Sequence, residues 1–98
     1  MVTVVGKTRV KELQRLHSGA SEELGGWYLV AKKAAWKNLI DVRGDFTDAD
    51  QVGKMLVFNV RHNQYRLIVK VDYQSKLLMV KDLLNHKEYE KGAWKRWD

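Results

Sequence analysis

The hydrophobic periodicity of the chain changes at Leu56, and this change constrains the fold more than any other feature. Beyond this residue the pattern favours a period of two over three apolar-rich segments, residues 56–60, 65–73 and 77–84, and apolar and polar side chains alternate most clearly in the middle one. Such alternation is typical of half-buried β-strands, and the short polar segments between them are typical of turns. The second half of the chain is therefore predicted to form an antiparallel meander of three strands. Lys81-Asp82 interrupts the alternation in the third strand, which predicts a β-bulge.

The middle strand of this meander has two chemically different faces. One face carries Leu67, Val69 and Val71, and the other carries Arg66 and Lys70, because successive side chains of a strand point to opposite sides. Helices that pack on the apolar face would leave Arg66 and Lys70 on the other side of the sheet.

The first half of the chain has helical spacing instead. After a β-branched run at residues 1–5, which predicts an opening strand, Val10, Leu13 and Leu16 recur at a spacing of three and predict a short helix. Ser21, followed by two glutamates, is predicted to be the N-cap of a second helix. Residues 38–55 are the least regular part of the chain, and we expect turns and a helix cap there.

These elements predict an α+β fold. Two N-terminal helices pack on a small, largely antiparallel sheet, and residues 86–97 form a short C-terminal helix. A length of 98 residues fits a single domain spanning residues 1–98. The apolar stretches are far shorter than the roughly 20 residues that cross a bilayer, and no signal-peptide pattern precedes them. We therefore expect a cytoplasmic protein without a membrane partner.

Charge points to the kind of partner. Eighteen Lys and Arg residues against twelve Asp and Glu give a net charge of +6, which favours a polyanion, most simply a nucleic acid. A soluble protein that merely happens to be basic is the alternative. The chain has no cysteine, its histidines do not pair at the spacing of metal ligands, and it has no phosphate-binding glycine loop. We therefore predict neither a metal nor a cofactor.

Several side chains near one end of the sheet could cleave RNA without a metal. That reaction needs a base for the ribose 2′-OH proton, an acid for the leaving 5′-oxygen and a cation for the charge on the phosphoryl oxygens. The residue types that could supply these groups are concentrated at Arg66, Lys70, His86, Glu88 and Tyr89, with Asn59 and Asn63 nearby. Each of these residues also has a plain structural explanation, as a surface ion pair, a surface histidine or a packed tyrosine.

Lys33 and Lys37 are four residues apart and are predicted to lie on one face of the second helix. They form either a solvated face or an edge that contacts phosphates. From the residue types alone, the prediction is a basic α+β domain that binds nucleic acid.

Two stretches of the sequence resemble motifs of the HigB-type toxins. VFNV at residues 57–60 with NQYRLI at residues 63–68 resembles their strand pair, and LNHKEYEKGAWK at residues 84–95 resembles their C-terminal motif. WKNLID at residues 36–41, Phe46 and ADQV at residues 49–52 resemble the connecting region. The chain departs from the pattern at Arg61-His62, where many members have two glycines, and at Asn85, where threonine usually precedes the histidine.

The resemblance implies a RelE-like fold and a metal-independent mRNA endonuclease, an mRNA interferase that acts on translated mRNA at the ribosome. It implies that Arg66 stabilises transition-state charge and that His86 and Tyr89 transfer protons or hold the substrate base. Lys33, Lys37 and Lys70 would contact phosphates, and Asn63 would also bind the RNA.

The resemblance also implies partners. A cognate HigA-type helix-turn-helix antitoxin would neutralise the protein, and operator DNA would be bound only through the complex with that antitoxin. A chain that keeps the fold and lacks cleavage, a non-catalytic RNA-binding or partner-binding module, is the alternative. Loss of growth arrest in an Arg66→Ala variant would distinguish the two.

Overall fold

A computed structural model of the protein describes residues 3–61 and 64–97. The elements in chain order are β1 (Thr3–Val5), α1 (Lys7–Leu16), a 3₁₀ turn (Ser18–Ala20), α2 (Ser21–Lys33), α3 (Leu39–Asp45), β2 (Asp50–Val52), β3 (Met55–Val60), β4 (Tyr65–Asp72), β5 (Leu77–Asn85), α4 (His86–Lys91) and a second 3₁₀ turn (Ala93–Arg96). The strands form one sheet of order β1-β5-β4-β3-β2, in which β1 is parallel to β5 and the other pairs are antiparallel. The predicted α+β class is confirmed.

The predicted meander and its bulge are also confirmed. The register between β4 and β5 shifts where Ile68 is opposite Asp82 and Val69 is opposite Val80, so Lys81 is the extra residue. Arg9 of α1 contacts the bulge. Its Nε donates to the Lys81 carbonyl at 3.0 Å, and its guanidinium lies 3.1 Å from the Asp82 carboxylate. The bulge therefore anchors α1 to the sheet.

Helices α1 and α2 pack on one face of the sheet, which we call the helical face. Val10 and Leu13 of α1 and Leu24, Trp27 and Ala31 of α2 are buried there, against the alternate residues Leu67, Val69 and Val71 of β4. An aromatic cluster closes one end of this core. Its rings are in contact at centroid distances of 5.2–6.1 Å and belong to Trp27, Trp36, Phe46 and Phe58.

The local predictions for the start of α2 and for residues 38–55 are wrong. Ser21 is not an N-cap, because its backbone is already helical and its N–H donates to the Ser18 carbonyl of the preceding 3₁₀ turn. Residues 38–55 also form more than turns and a cap, since a whole helix, α3, and a strand, β2, lie within them. Asn38 caps α3 by accepting from the Asp41 N–H at 3.0 Å, and Trp36 Nε1 donates to Asp45 at 2.8 Å. These contacts hold a helix that has little periodicity of its own.

The opposite face of the sheet, which we call the open face, is covered at one end by the C-terminal segment. A second apolar cluster lies there, formed by Met55, Val57, Ile68, Leu84 and Trp94, with Tyr89 and Trp97 partly buried against it. Helix α4 confirms a helix at the start of the predicted range 86–97, but it ends at Lys91, because Gly92 takes a left-handed φ of 74° and a 3₁₀ turn follows. Arg66 and Lys70 lie two residues before and after Ile68 on β4 and therefore share its face. Both are half-buried.

Candidate active site

The open face brings Arg66 and Tyr89 together, although they are far apart in the sequence. Arg66 lies on β4 between Asn59 of β3 and Leu84 of β5. Its Cζ is 5.3 Å from the centre of the Tyr89 ring on α4, and its Nη1 donates to the Tyr65 carbonyl at 3.3 Å. A guanidinium at this distance from an aromatic ring makes a cation–π contact. The site therefore combines a held cation with a phenolic hydroxyl.

Trp94 supports Tyr89 from beneath. The two rings are nearly parallel, at an angle of 12° with centroids 5.1 Å apart, and Trp94 Nε1 donates to the Tyr89 carbonyl at 2.9 Å. Trp94 is only 1% exposed. The Tyr89 ring consequently has an indole and a guanidinium as neighbours, and both the ring and the backbone of this residue are held in place.

The local sequence explains this arrangement. Asn85 caps α4 by accepting from the Glu88 N–H at 2.9 Å, and the Glu88 carboxylate accepts from the Asn85 N–H at 3.2 Å, which is a capping box. Gly92 ends the helix at a φ of 74°, a conformation that favours glycine. The chain can then turn back so that Trp94 reaches the sheet. Asparagine is at least as good an N-cap as threonine, so Asn85 preserves the cap that the usual threonine would supply.

His86 occupies a more exposed position than the other two predicted catalytic residues. It is the first residue of α4, its side chain is 59% exposed, and its Nδ1 lies 3.3 Å from the Glu90 carboxylate. This contact does not join it to Arg66 or Tyr89. A pair as exposed as this one contributes little to stability.

The predicted RNA-binding residues fall into separate regions. Lys70 shares the open face with Arg66, four residues along β4 and therefore roughly 13 Å away. Lys33 and Lys37 are exposed in the helical layer on the other side of the sheet. The prediction that both lie on one helix is wrong, because α2 ends at Lys33 and the next residue is extended. Asn63 lies outside the described residues, as does His62, one of the two residues at which the sequence departs from the family pattern.

Sequence reasoning missed Trp94 as a site residue. Its signal is a large apolar residue just after a glycine that ends a helix, since such a residue often packs back against the preceding turn. Lys95 was missed as well, and its Nζ lies 5.8 Å from the centre of the Trp94 ring. Lys95 therefore adds a cation near the site to Arg66 and Lys70, the two that strand alternation predicts.

A concave region adjoins Lys70 at the other end of the open face. Its cavity of about 530 Å³ is lined in part by Lys54, Lys70 and Tyr73. The Tyr73 hydroxyl donates to Gln51 at 2.7 Å, and burial, with a smaller effect of the Asp41 charge, raises the pKa of Tyr73 above its ordinary value. Asp72 also lines the cavity, so two lysines against one carboxylate leave a net positive charge that suits a phosphate group.

No group of three or more His, Asp or Glu side chains that could hold a metal ion occurs within residues 3–61 and 64–97. The same residues contain no helix that is long and apolar enough to span a bilayer.

Comparison with known families identifies one match. The family model for HigB toxins, described as the RelE-like toxic component of a toxin-antitoxin system, matches residues 20–92. The matched range contains Arg66, His86 and Tyr89 and ends just before Trp94. A search of curated proteins finds no match.

Proposed function

The chain belongs to the HigB family of RelE-like toxins, and from this premise we propose that it is a metal-independent endoribonuclease that cleaves translated mRNA at the ribosome. The observation that carries the proposal is the contact between Arg66 and Tyr89. Both residues are of types suited to RNA cleavage and lie on one face of the sheet, with Arg66 Cζ 5.3 Å from the centre of the Tyr89 ring. Both also lie inside the range that matches the family. The net charge of +6 supports a polyanionic substrate.

Arg66 is the cation of the proposed reaction. As the ribose 2′-oxygen attacks the neighbouring phosphate, negative charge builds up on the phosphoryl oxygens. A guanidinium can donate two parallel hydrogen bonds to these oxygens, and its planar fork loses less freedom in doing so than a lysine side chain. The contact with Tyr89 holds the guanidinium on the open face before RNA binds, which favours a preorganised site.

Tyr89 and His86 are the proposed proton-transfer groups. The Tyr89 ring already has Arg66 and Trp94 as neighbours, which favours a role for its hydroxyl over stacking of its ring on a base. Histidine side chains can act as acid or base near neutral pH. His86 lies three residues before Tyr89 on α4 and is exposed enough to reach a substrate.

The lysines are proposed to position the RNA. Lys70 and the adjoining Lys54 would hold phosphates along the open face, beyond the scissile position at Arg66. Lys33 and Lys37, on the other side of the sheet, would contact phosphates of ribosomal RNA or of more distant nucleotides, and Asn63 would contact the mRNA. Such contacts give affinity without sequence preference and weaken as salt increases.

A toxin-antitoxin family implies an antitoxin partner, and we propose that this partner is a HigA-type helix-turn-helix protein. Operator DNA would then be bound only through the complex with that partner, as the family resemblance implies. The proposed place of action is the cytoplasm, where mRNA is translated.

The test is to induce the gene from a tightly regulated promoter and to map mRNA 5′ ends. We expect growth arrest and new 5′ ends within translated regions for the wild-type chain. Arg66→Ala and Tyr89→Phe at equal protein levels should produce neither. Arg15→Ala is the matched control, because Arg15 is an exposed cation at the end of α1 on the helical side, and it should behave as wild type.

Unchanged mRNA and normal growth with well-expressed wild-type chain would contradict the proposal. That result would favour the non-catalytic module, which should still bind RNA with an affinity that falls steeply with salt. Equal loss of activity in Arg15→Ala and Arg66→Ala would show that net charge, rather than the site, is responsible.

A further inference from the structure

Half of strand β3 has an uncovered edge. Strand β2 pairs with β3 only from Met55 to Val57, with Asp50 opposite Val57 at the end of the ladder. Residues 58–60 still pair with β4 on their other side. Among the described residues, no strand pairs with residues 58–60 on the β2 side. An uncovered edge of this kind is a template for another strand.

The hydrogen-bond alternation shows which backbone groups this edge offers. The Val71 N–H of β4 donates to the Lys54 carbonyl at 2.8 Å. Lys54 and Val71 are therefore a hydrogen-bonded pair, and every second residue from Lys54 along β3 bonds to β4. Because the bonds of an antiparallel ladder alternate, Phe58 and Val60 also direct their backbone groups towards β4. Asn59 directs its N–H and C=O away from β4, towards the uncovered side.

An apolar groove runs beside this edge, between β3 and α2. It has a volume of about 350 Å³ and is lined mainly by Gly26, Trp27, Val30, Phe46, Phe58 and Val60. A second cavity of about 250 Å³, bounded by residues 45–49, adjoins it through Phe46, Phe58 and Asn59. We call the two cavities together the α2–β3 groove. Val30 at its rim is 40% exposed and Leu29 beside it 54% exposed.

Trp27 adds a specific requirement for a ligand. It is 4% exposed, and its Nε1–H is buried and has no hydrogen-bond partner among the described residues. A buried donor without an acceptor is unfavourable. Since Trp27 lines the groove, a carbonyl oxygen of a molecule bound there could accept from this N–H.

The charge of the groove distinguishes it from the open face. Glu23, Asp45 and Asp48 line the two cavities, and none of the described lining residues is a lysine or arginine. The chain as a whole carries a net charge of +6, so this acidic region is a local exception. Carboxylates repel the phosphates of RNA and attract the basic side chains of a polypeptide.

We propose that the α2–β3 groove binds an extended polypeptide segment of a protein partner. The segment adds a strand at residues 58–60, and its backbone bonds to Asn59. It places an apolar side chain between Val30 and Phe58, and one of its carbonyls accepts from Trp27. Lysine or arginine residues in the segment lie near Glu23, Asp45 or Asp48. The antitoxin that family membership implies is the natural source of this segment, and the inference does not depend on mRNA cleavage.

The test selects peptides from a phage-displayed library of random dodecapeptides on the immobilised full chain. We expect enriched peptides in which an apolar residue has Lys or Arg neighbours. Titrating the best synthetic peptide into ¹⁵N-labelled protein should shift the indole N–H signal of Trp27. This signal is assigned as the one that disappears from the spectrum of Trp27→Phe. The Asn59 amide signal should shift as well.

Gly26→Leu provides the decisive variant. A Cβ at Gly26 meets nothing within 4 Å, and Gly26 lines the groove, so a leucine side chain there is expected to extend into it. Gly44→Leu on α3 is the matched control, because a Cβ at Gly44 also meets nothing within 4 Å. Gly26→Leu should weaken peptide binding about tenfold or more, whereas Gly44→Leu should leave it within roughly twofold.

Three results would overturn the proposal. They are the absence of any enriched peptide, peptides whose affinity is the same for Gly26→Leu and wild type, and a shift of the Trp27 signal by oligouridylate instead of by the peptides. None of them bears on cleavage, since Gly26 and Trp27 lie on the helical side and Arg66 and Tyr89 on the open face.

Discussion

Replacing Trp94 by alanine tests whether the C-terminal segment holds the open face of the sheet together. Trp94 is 1% exposed and packs on Ile68 and Leu84. Truncating a buried tryptophan to alanine costs about 3–5 kcal/mol. The stack on Tyr89 and the Nε1–H bond to its carbonyl place this residue in the upper part of that range, at about 4–5 kcal/mol. Trp94→Phe keeps an aromatic ring and loses the N–H donor, so it should cost about 1–2 kcal/mol.

Urea unfolding followed by circular dichroism, with linear extrapolation to water, measures these differences. Trp97→Ala is the control, because Trp97 belongs to the same cluster and is only partly buried. It should cost less than half as much as Trp94→Ala. If Trp94→Ala costs less than about 0.5 kcal/mol, the range of ordinary surface substitutions, or no more than Trp97→Ala, then Trp94 does not anchor α4 and does not support the site.

Three further predictions concern stability. Asn85→Ala should lower the free energy of unfolding by about 1 kcal/mol through loss of the α4 cap, and Asn85→Thr should restore most of it; equal stability of the two variants in urea would contradict the cap. The pKa of Tyr73 is raised in the folded chain, so its contribution to the free energy of unfolding is fully present below pH 10.0, its ordinary pKa. That contribution is lost as the pH rises through the raised pKa. Unfolding free energies measured from pH 8 to 11 should therefore fall more steeply for wild type than for Tyr73→Phe, and parallel curves would exclude this linkage. Lys76 has a φ of 60°, so Lys76→Gly should stabilise the chain by about 0.5–1 kcal/mol, whereas a lower Tm by calorimetry would refute strain there.

The strands were the most predictable part of the fold, because alternation along a strand is a local property. Residues 56–60, 65–73 and 77–84 correspond to β3, β4 and β5 within one residue at each end. The bulge at Lys81 could be predicted for the same reason, since two adjacent polar residues interrupt the pattern. The side of the sheet on which Arg66 lies followed from the same alternation.

Elements that lack hydrophobic periodicity could not be predicted in this way. Helix α3 is held by its Asn38 cap and by the bond from Trp36 to Asp45, and the start of α2 is set by the 3₁₀ turn before Ser21. The spacing of apolar residues indicates none of these contacts. The end of α2 at Lys33 is a similar case, and it separates Lys37 from the helix to which periodicity assigned it.

The candidate site was predictable only in part. Arg66, His86 and Tyr89 were chosen through a family resemblance, and the structure joins Arg66 to Tyr89 while His86 contacts Glu90. Trp94 was missed because its role depends on the turn at Gly92, which directs the chain back to the open face. A helical tail read from its periodicity alone does not predict that turn.

Single-turnover cleavage of mRNA on programmed ribosomes tests the central claim most directly. The purified wild-type chain should cut the bound mRNA, and Arg66→Ala should lower the rate on the order of 10²–10³-fold, the usual effect of removing one preorganised charge-stabilising donor. Arg66→Lys should recover part of the rate through its charge, and Arg15→Ala should match wild type. Cleavage by Arg66→Ala at close to the wild-type rate would contradict the assignment of Arg66 to the transition state and, with it, the proposed site.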